Sequence, residues 1–150
     1  MPDQCLAPIL HRVKTRSRFC TPNEMIDSVR ENIEKILNTR LLIPYSYVLR
    51  PFSAESSRLL NDSLVNFGIA DIQSLNLGDE TLEKRFCKSV KLAIQRFEQR
   101  LGYVTVEMSN SSRDRIANIE VQGMLLVPPF EKDIHFESGL EPATQKFFVS

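Results

Sequence analysis

The chain changes from helical to strand periodicity within a few residues, between Gln95 and Met108. Before the change, apolar residues recur at helical spacing and form one stripe: Leu82, Phe86, Val90, Ala93, Ile94 and Phe97. After it, Val104, Val106 and Met108 alternate with their neighbours, which is the period of a strand. Each element must bury its apolar side against another layer. The switch therefore predicts an α+β domain, with a helix that begins at "GDE" (Gly78 to Glu80).

The sequence after the switch predicts a small antiparallel sheet. Polar "SNSSRD" leads into "RIANIEVQGMLLV", so we expect two strands joined by a hairpin. Pro128 and Pro129 end the second strand because proline has no N–H for the ladder. "DIHFES" predicts a short third strand, and "QKFFVS" predicts a strand that closes the sheet. In that last strand, Phe147 and Phe148 point to opposite faces.

Two helices are predicted before the one that ends at the switch. Thr21 and Glu24 have the spacing of a capping box with Pro22 at the first helical position, which predicts a helix ending near Asn38.

Ser53 predicts the start of a second helix, and this helix carries apolar residues on one side: Leu59, Leu60 and Leu64. Gly68 would end it, because glycine adopts a left-handed conformation at little cost. The fold expected is three helices followed by a small antiparallel sheet.

Length and composition predict one domain with an N-terminal extension. The 150 residues are 42% hydrophobic, which suits a single packed core. Residues 1–20 hold Pro2, Pro8 and several basic side chains with little periodicity, so we expect a flexible basic arm. Residues 21–150 form the predicted domain.

Charge and cysteine content exclude several classes of protein. Nineteen basic and nineteen acidic side chains cancel, so no global field favours nucleic acid or a membrane surface. No apolar stretch approaches the roughly 20 residues that span a bilayer. Cys5, Cys20 and Cys87 are odd in number and form no CxxC pair, so we expect no disulfide framework and no zinc site. A cytoplasmic protein is expected, with Cys87 as its buried thiol.

Catalytic motifs are scarce in the sequence. The two histidines, His11 and His135, have no nucleophile motif nearby, and no glycine-rich nucleotide loop occurs. We therefore predict no enzymatic activity, no cofactor and no metal. Two alternatives stay open. Glycoside hydrolysis needs a pair of carboxylates, which nineteen acids permit. Nucleic-acid binding would use "HRVKTRSR" with a basic strip on the third helix: Lys84, Arg85, Lys88, Lys91 and Arg96.

Glu98 and Arg100 lie where the third helix gives way to the sheet. An anion is disfavoured in the last helical turn and a cation is favoured there, so Glu98 needs a compensating partner. Residues two apart on a helix point in different directions, which predicts separate partners for the two charges. Arg40 or Arg50 is the expected partner within the chain, and the other contact is expected across an interface.

Four segments together resemble a known family: "ILNTR" (36–40), "SLVNFGIAD" (63–71), "VKLAIQRFEQRL" (90–101) and "NIEVQGML" (118–125). In this order they are similar to TssE, the baseplate subunit of bacterial type VI secretion, and to its relatives in contractile phage tails. The resemblance implies a cytoplasmic structural protein that joins the baseplate wedge and helps to initiate sheath polymerisation. The implied partners are the wedge proteins TssF, TssG and TssK and the sheath proteins TssB and TssC, without nucleic acid. The family's "lysozyme-like" label keeps a peptidoglycan hydrolase as the alternative.

The family hallmark is a Glu-Pro-Arg triplet after an apolar helix. Glu98 and Arg100 match it, and Gln99 stands in place of the proline. Without that proline, we expect helix termination to depend on Gly102. The implied partner-binding site comprises Glu98, Gln99 and Arg100, with Arg40 beside them. The layout of helices before a sheet also predicts a free sheet edge that accepts a strand from a neighbour.

Overall fold

The computed structural model describes Cys5–Leu6 and residues 19–41, 67–69, 80–111, 116–128, 130–141 and 146–150. Within these ranges the elements are β1 (Cys5–Leu6), β2 (Phe19–Cys20), α1 (Pro22–Asn38), α2 (Glu80–Phe97), β3 (Leu101–Ser111), β4 (Ile116–Val127), β5 (Phe130–Glu141) and β6 (Lys146–Val149). The α+β class and the antiparallel sheet are confirmed. Two helices are found in the described part instead of three, since the predicted helix after Ser53 lies outside it.

Helix α1 begins and ends where the sequence predicts. The Thr21 backbone N–H donates to Glu24 Oε2 (2.7 Å), and the Glu24 N–H donates to Thr21 Oγ1 (3.3 Å), so the capping box is complete. Pro22 occupies the first helical position. One side of the helix enters the core with these buried residues: Met25, Val29, Ile33, Ile36 and Leu37. The prediction of this helix is confirmed.

Helix α2 carries the predicted apolar stripe. Phe86, Val90, Ala93 and Ile94 are buried, and Phe97 packs at the edge of the core. Both helices lie on the same face of the sheet, because α2 contacts β3 while α1 contacts β6 and β5. Among the described residues, neither helix is long and apolar enough to cross a membrane.

The four-stranded sheet has the order β3-β4-β5-β6, and every neighbouring pair is antiparallel. Its inner face is apolar, with Ile119, Val121, Phe136 and Phe147 buried against the helices. Strand β5 is longer than the predicted "DIHFES". It pairs with β4 from Phe130 to Gly139. The backbone hydrogen bonds between the two strands therefore extend beyond the six residues of the predicted segment at both ends.

Gly68 and Gly102 lie in close contact with neighbouring residues. Gly68 has a φ of 118°, and a Cβ there would lie 2.4 Å from the carbonyl oxygen of Thr39. This agrees with the left-handed conformation expected at Gly68. Gly102 lies at an irregularity of the β3–β4 register, where a Cβ would lie 2.4 Å from Leu126 Cδ1.

The N-terminal segment contains one short ladder. In it, Cys5 pairs with Cys20 and Leu6 pairs with Phe19. Cys20 is buried in the core and Cys87 is half-buried, so the prediction of Cys87 as the buried thiol is wrong. Cys87 lies at the border of the apolar stripe and the polar face of α2. Partial burial and then the charge of Glu83 raise the pKa of the Cys87 thiol. The division into an arm (1–20) and a domain (21–150) stays a prediction.

Candidate partner-binding site

The turn that joins α2 to β3 consists of Glu98, Gln99 and Arg100. The Glu98 N–H still donates to the Ile94 carbonyl (2.8 Å), but the helix ends at Phe97. The Leu101 N–H then donates to the Glu98 carbonyl (3.2 Å) and closes the turn. The helix therefore ends before Gly102 is reached, and the predicted role of Gly102 in ending it is wrong. Gly102 lies inside β3.

Glu98 and Arg100 bind each other. Arg100 Nε donates to Glu98 Oε1 (2.6 Å), and Arg100 Nη2 donates to Glu98 Oε2. The prediction that these two residues point apart is wrong, because it assumed helical geometry for residues that lie in a turn. A turn allows the side chains of residues two apart to meet, and the planar guanidinium then binds both carboxylate oxygens.

Helix α1 supplies the other partners of this pair. Asn32 Nδ2 donates to Glu98 Oε2 and to the Phe97 carbonyl, at 3.0 Å in each case. Arg100 Nη1 donates to Ser28 Oγ (3.1 Å) and lies 3.4 Å from Met25 Sδ. Asn32 thus satisfies a helix-terminal carbonyl that has no partner within the helix. Sequence reasoning missed Asn32 and Ser28; their signal was two polar residues of poor helix propensity beside apolar positions of α1.

The three residues of the turn differ in exposure. The Glu98 side chain is only 2% exposed, the Arg100 side chain is 25% exposed, and Gln99 is exposed. The Glu98 carboxylate also accepts a hydrogen bond from the Arg100 backbone N–H (3.2 Å). Glu98 is therefore not accessible to another protein or to a substrate. Gln99 and the exposed part of the Arg100 side chain are the accessible groups.

Arg40 lies at the C-terminal end of α1 and does not bind Glu98, which the turn saturates with other donors. Its Nη1 donates to the Leu37 carbonyl (2.8 Å). Its backbone forms a parallel bridge with Ile69: the Leu41 N–H donates to the Ile69 carbonyl and the Ile69 N–H to the Thr39 carbonyl, both at 2.9 Å. The prediction that Arg40 pairs with Glu98 or Arg100 is wrong, and Arg50 lies outside the described residues.

Described residues of the four sequence segments that carry the family resemblance contact one another. The first two meet in the bridge between Arg40 and Ile69. Phe67 of the second packs edge-on against Phe97 of the third, with ring centroids 5.1 Å apart. Gly123 of the fourth lies so close to Leu101 of the third that a Cβ would come within 2.8 Å of its Cγ. The segments are distant in sequence and contiguous in space.

The described residues offer little support for a catalytic or metal centre. No group of three or more histidine, cysteine or acidic residues among them is arranged to hold a metal ion. His135 lies on β5 with Nε2 3.7 Å from Glu120 Oε2 on β4, and its side chain is exposed. Ser89 Oγ on α2 and Ser138 Oγ on β5 are buried without a hydrogen-bond partner, and the register neighbours of Ser138 are Ile119 and Val149.

A family model matches residues 23–129, which is most of the chain and includes both helices, the turn, β3 and β4. Its description is "Baseplate wedge protein gp25". The chain belongs to the baseplate wedge protein gp25 family. This confirms the resemblance to a baseplate subunit that the four segments indicate. No curated protein sequence matches the chain.

The fold of this gp25 family member is also similar to a solved structure. That structure is titled "The baseplate complex from the type VI secretion system". The similarity has a TM-score of 0.54 at 17% sequence identity, and it covers 79% of this chain and 96% of the other. At this identity the likeness shows a shared fold.

Proposed function

We propose that this protein is a structural component of a type VI secretion baseplate, where it joins the wedge and helps to initiate sheath polymerisation. The observation that carries the proposal is the family match over residues 23–129. The similarity to a chain of a type VI secretion baseplate complex favours this machine over a phage tail. We further propose wedge partners of the TssF, TssG and TssK type, sheath partners of the TssB and TssC type, and a cytoplasmic location.

The partner-binding surface is proposed to centre on the turn of Glu98, Gln99 and Arg100, with Arg40 as an outlying contributor. Glu98 is buried, so it acts by holding the Arg100 guanidinium in place. Gln99 and the exposed edge of Arg100 would touch the partner. A guanidinium already fixed by Glu98 and Ser28 loses little conformational entropy when a carboxylate or a carbonyl binds it.

A non-enzymatic role is favoured by the family, whose description names a structural component. The peptidoglycan hydrolase alternative has no support in that match. A glycosidase requires a carboxylic acid that reaches the glycosidic oxygen, and Glu98 is buried against Arg100. Clearing of a cell-wall substrate by the purified protein would revive the alternative.

The experiment for this function is complementation of a strain that lacks the protein. Gln99→Trp places a large side chain on the exposed turn without entering the core, and Asn23→Trp is the control at an exposed site in the first turn of α1. We expect Gln99→Trp to keep its unfolding midpoint, to lose co-purification with the wedge proteins and to form few sheaths. Asn23→Trp should retain all three properties. If the unaltered protein associates with no wedge protein, the proposed function is wrong.

The C-terminal edge of the sheet is the proposed second contact. Within the described part of the chain, strand β6 pairs with β5 alone. Phe147 is buried and exchanges two hydrogen bonds of 2.8 Å with Asn38, whereas Phe148 is 55% exposed. Truncation before Gln145 would therefore remove a core residue and is a poor test. Phe148→Ser removes the exposed ring alone, and we expect it to impair sheath formation without lowering stability. Normal sheath numbers in this variant would contradict an edge contact.

A further inference from the structure

The described helices α1 and α2 pack on one face of the sheet, and the other face, which we call the open face, carries exposed side chains. Thr105, Gln122 and His135 form one cross-strand row on this face, and all three are exposed. The next row consists of Glu107, Glu120 and Glu137, which are exposed or half-exposed. The residues between these rows, such as Val121 and Phe136, point inward and are buried.

Acidic side chains dominate this face. Glu107 faces Glu120, and Glu120 faces Glu137 in the register of the sheet; Glu107, on the edge strand, also lines a recess beside α2 with Lys88 and Lys91. Like charges directly opposite each other destabilise a sheet. By strand alternation, Glu131 and Asp133 also belong to this face, while Lys146 lies on its far strand. The whole chain has no net charge, so the negative charge of this face is local.

A shallow recess of about 500 Å³ lies on the same face. Tyr103 and Thr105 line it from β3, Gln122 and Met124 from β4, and Asp133 and His135 from β5. Tyr103 is 81% exposed, so its ring is a wall of the recess and is not part of the core. The recess thus places an aromatic ring and a carboxylate around one small volume.

We propose that the open face of the sheet binds a basic segment of a protein partner, and that the recess receives an arginine or lysine side chain of that segment. A cation between a tyrosine ring and a carboxylate gains both a cation–π contact and an ion pair. The row of Glu107, Glu120 and Glu137 spans about 10 Å, because neighbouring strands are about 4.8 Å apart. An extended segment places alternate side chains on one side about 6.7 Å apart, so two of them fit within this span.

This surface is formed by residues other than Glu98, Gln99 and Arg100, and its test does not require a baseplate. The full-length protein is titrated into a fluorescent synthetic peptide in which arginine alternates with threonine. A peptide in which glutamate alternates with threonine is the control ligand. Amide chemical shifts of the protein map the site. We expect binding of the arginine peptide only, with shifts confined to β3, β4 and β5.

Two sets of variants test the assignment of residues. The double variant Glu120→Gln and Glu137→Gln should bind the arginine peptide with about five- to tenfold lower affinity. Each exposed ion pair contributes only a fraction of a kcal/mol to binding. Glu31→Gln, on the exposed side of α1, is the matched control and should leave the affinity unchanged. Tyr103→Phe keeps the ring and should bind normally. Tyr103→Gly removes the ring and should bind more weakly, while the positive φ of 51° at this position suits glycine and preserves the fold.

Several results would overturn the proposal. They are the absence of binding to the arginine peptide, shifts that map to another surface, or an equal loss of affinity in Glu31→Gln. Normal affinity in Tyr103→Gly would remove the recess from the site. Failure of this proposal leaves the proposed baseplate role untouched, because that role is measured by co-purification and sheath formation.

Discussion

Each end of α2 carries an ion pair between a glutamate and a basic side chain, and the two pairs differ in how far they are exposed to solvent. At the N-terminal end, Lys84 Nζ lies 2.6 Å from Glu80 Oε1, and these side chains are 74% and 80% exposed. At the C-terminal end, Glu98 is 2% exposed and binds Arg100 through both carboxylate oxygens. The first pair lies in water, and the second fills a gap between α1, α2 and the sheet.

Burial, and not the presence of opposite charges, decides what an ion pair does. An exposed pair gains little, because water screens it and two long side chains lose freedom. A buried pair gains little net energy over an apolar replacement, but the loss of one partner strands a charge. The C-terminal pair therefore fixes the geometry of the turn, whereas the N-terminal pair does not constrain the fold.

The largest effect is expected for Arg100→Ala. This change leaves the Glu98 carboxylate buried without its cation. We expect the free energy of unfolding to fall by roughly 2–4 kcal/mol. This loss is somewhat smaller than the loss expected for a fully buried pair, because the Arg100 side chain is partly exposed. Chemical denaturation measures it. Replacing Glu98 and Arg100 together by leucine should recover part of the loss. A loss below about 0.5 kcal/mol for Arg100→Ala would mean that the pair behaves like an exposed one.

A smaller effect is expected for Asn32→Ala. This change removes the donor to Glu98 Oε2 and to the Phe97 carbonyl, and we expect a loss of about 1–2 kcal/mol. Asn23→Ala, at an exposed position in the same helix, is the control for helix propensity. If both variants are equally stable in denaturation, Asn32 does not hold the helix end.

The smallest effect on stability is expected for Lys84→Ala, whose unfolding midpoint should lie close to that of the unaltered protein because the pair is exposed. The hydrogen bond from Lys84, and then its charge, lowers the pKa of Glu80. An acid with a lowered pKa in the folded state contributes stability at neutral pH and loses it as the pH falls through that pKa. In Lys84→Ala the Glu80 pKa should rise toward its ordinary value, as followed by NMR titration. An unchanged titration would show that Lys84 does not bind Glu80 in solution.

Much of the secondary structure could be predicted from the sequence because its determinants are local. The capping box at Thr21 and Glu24 fixes the start of α1, and the apolar stripe that includes Phe86 and Ile94 fixes the inward side of α2. The alternation of Val104, Val106 and Met108 predicts β3 for the same reason. The length of β5 was underestimated, because pairing with β4 extends a strand beyond its own alternating residues.

The candidate site could be predicted only as a place in the chain. The sequence identified Glu98 and Arg100 as charges at a helix end and Gln99 as the departure from the family triplet. Whether the two charges meet depends on where the helix ends, and Asn32 of α1 contributes to that end. A contact between residues 65 positions apart leaves no periodic signal in either segment.

The sequence by itself determined the two described helices, the antiparallel sheet and the family, since periodicity, caps and ordered segments are properties of neighbouring residues. Only the tertiary structure decided that Glu98 is buried, that Arg100 is its partner, and that Gln99 is exposed. It also decided that Glu107, Glu120 and Glu137 form one row, although they lie on three different strands. The physical reason is that burial and cross-strand register follow from how distant segments pack together, and neither quantity is a property of any one segment.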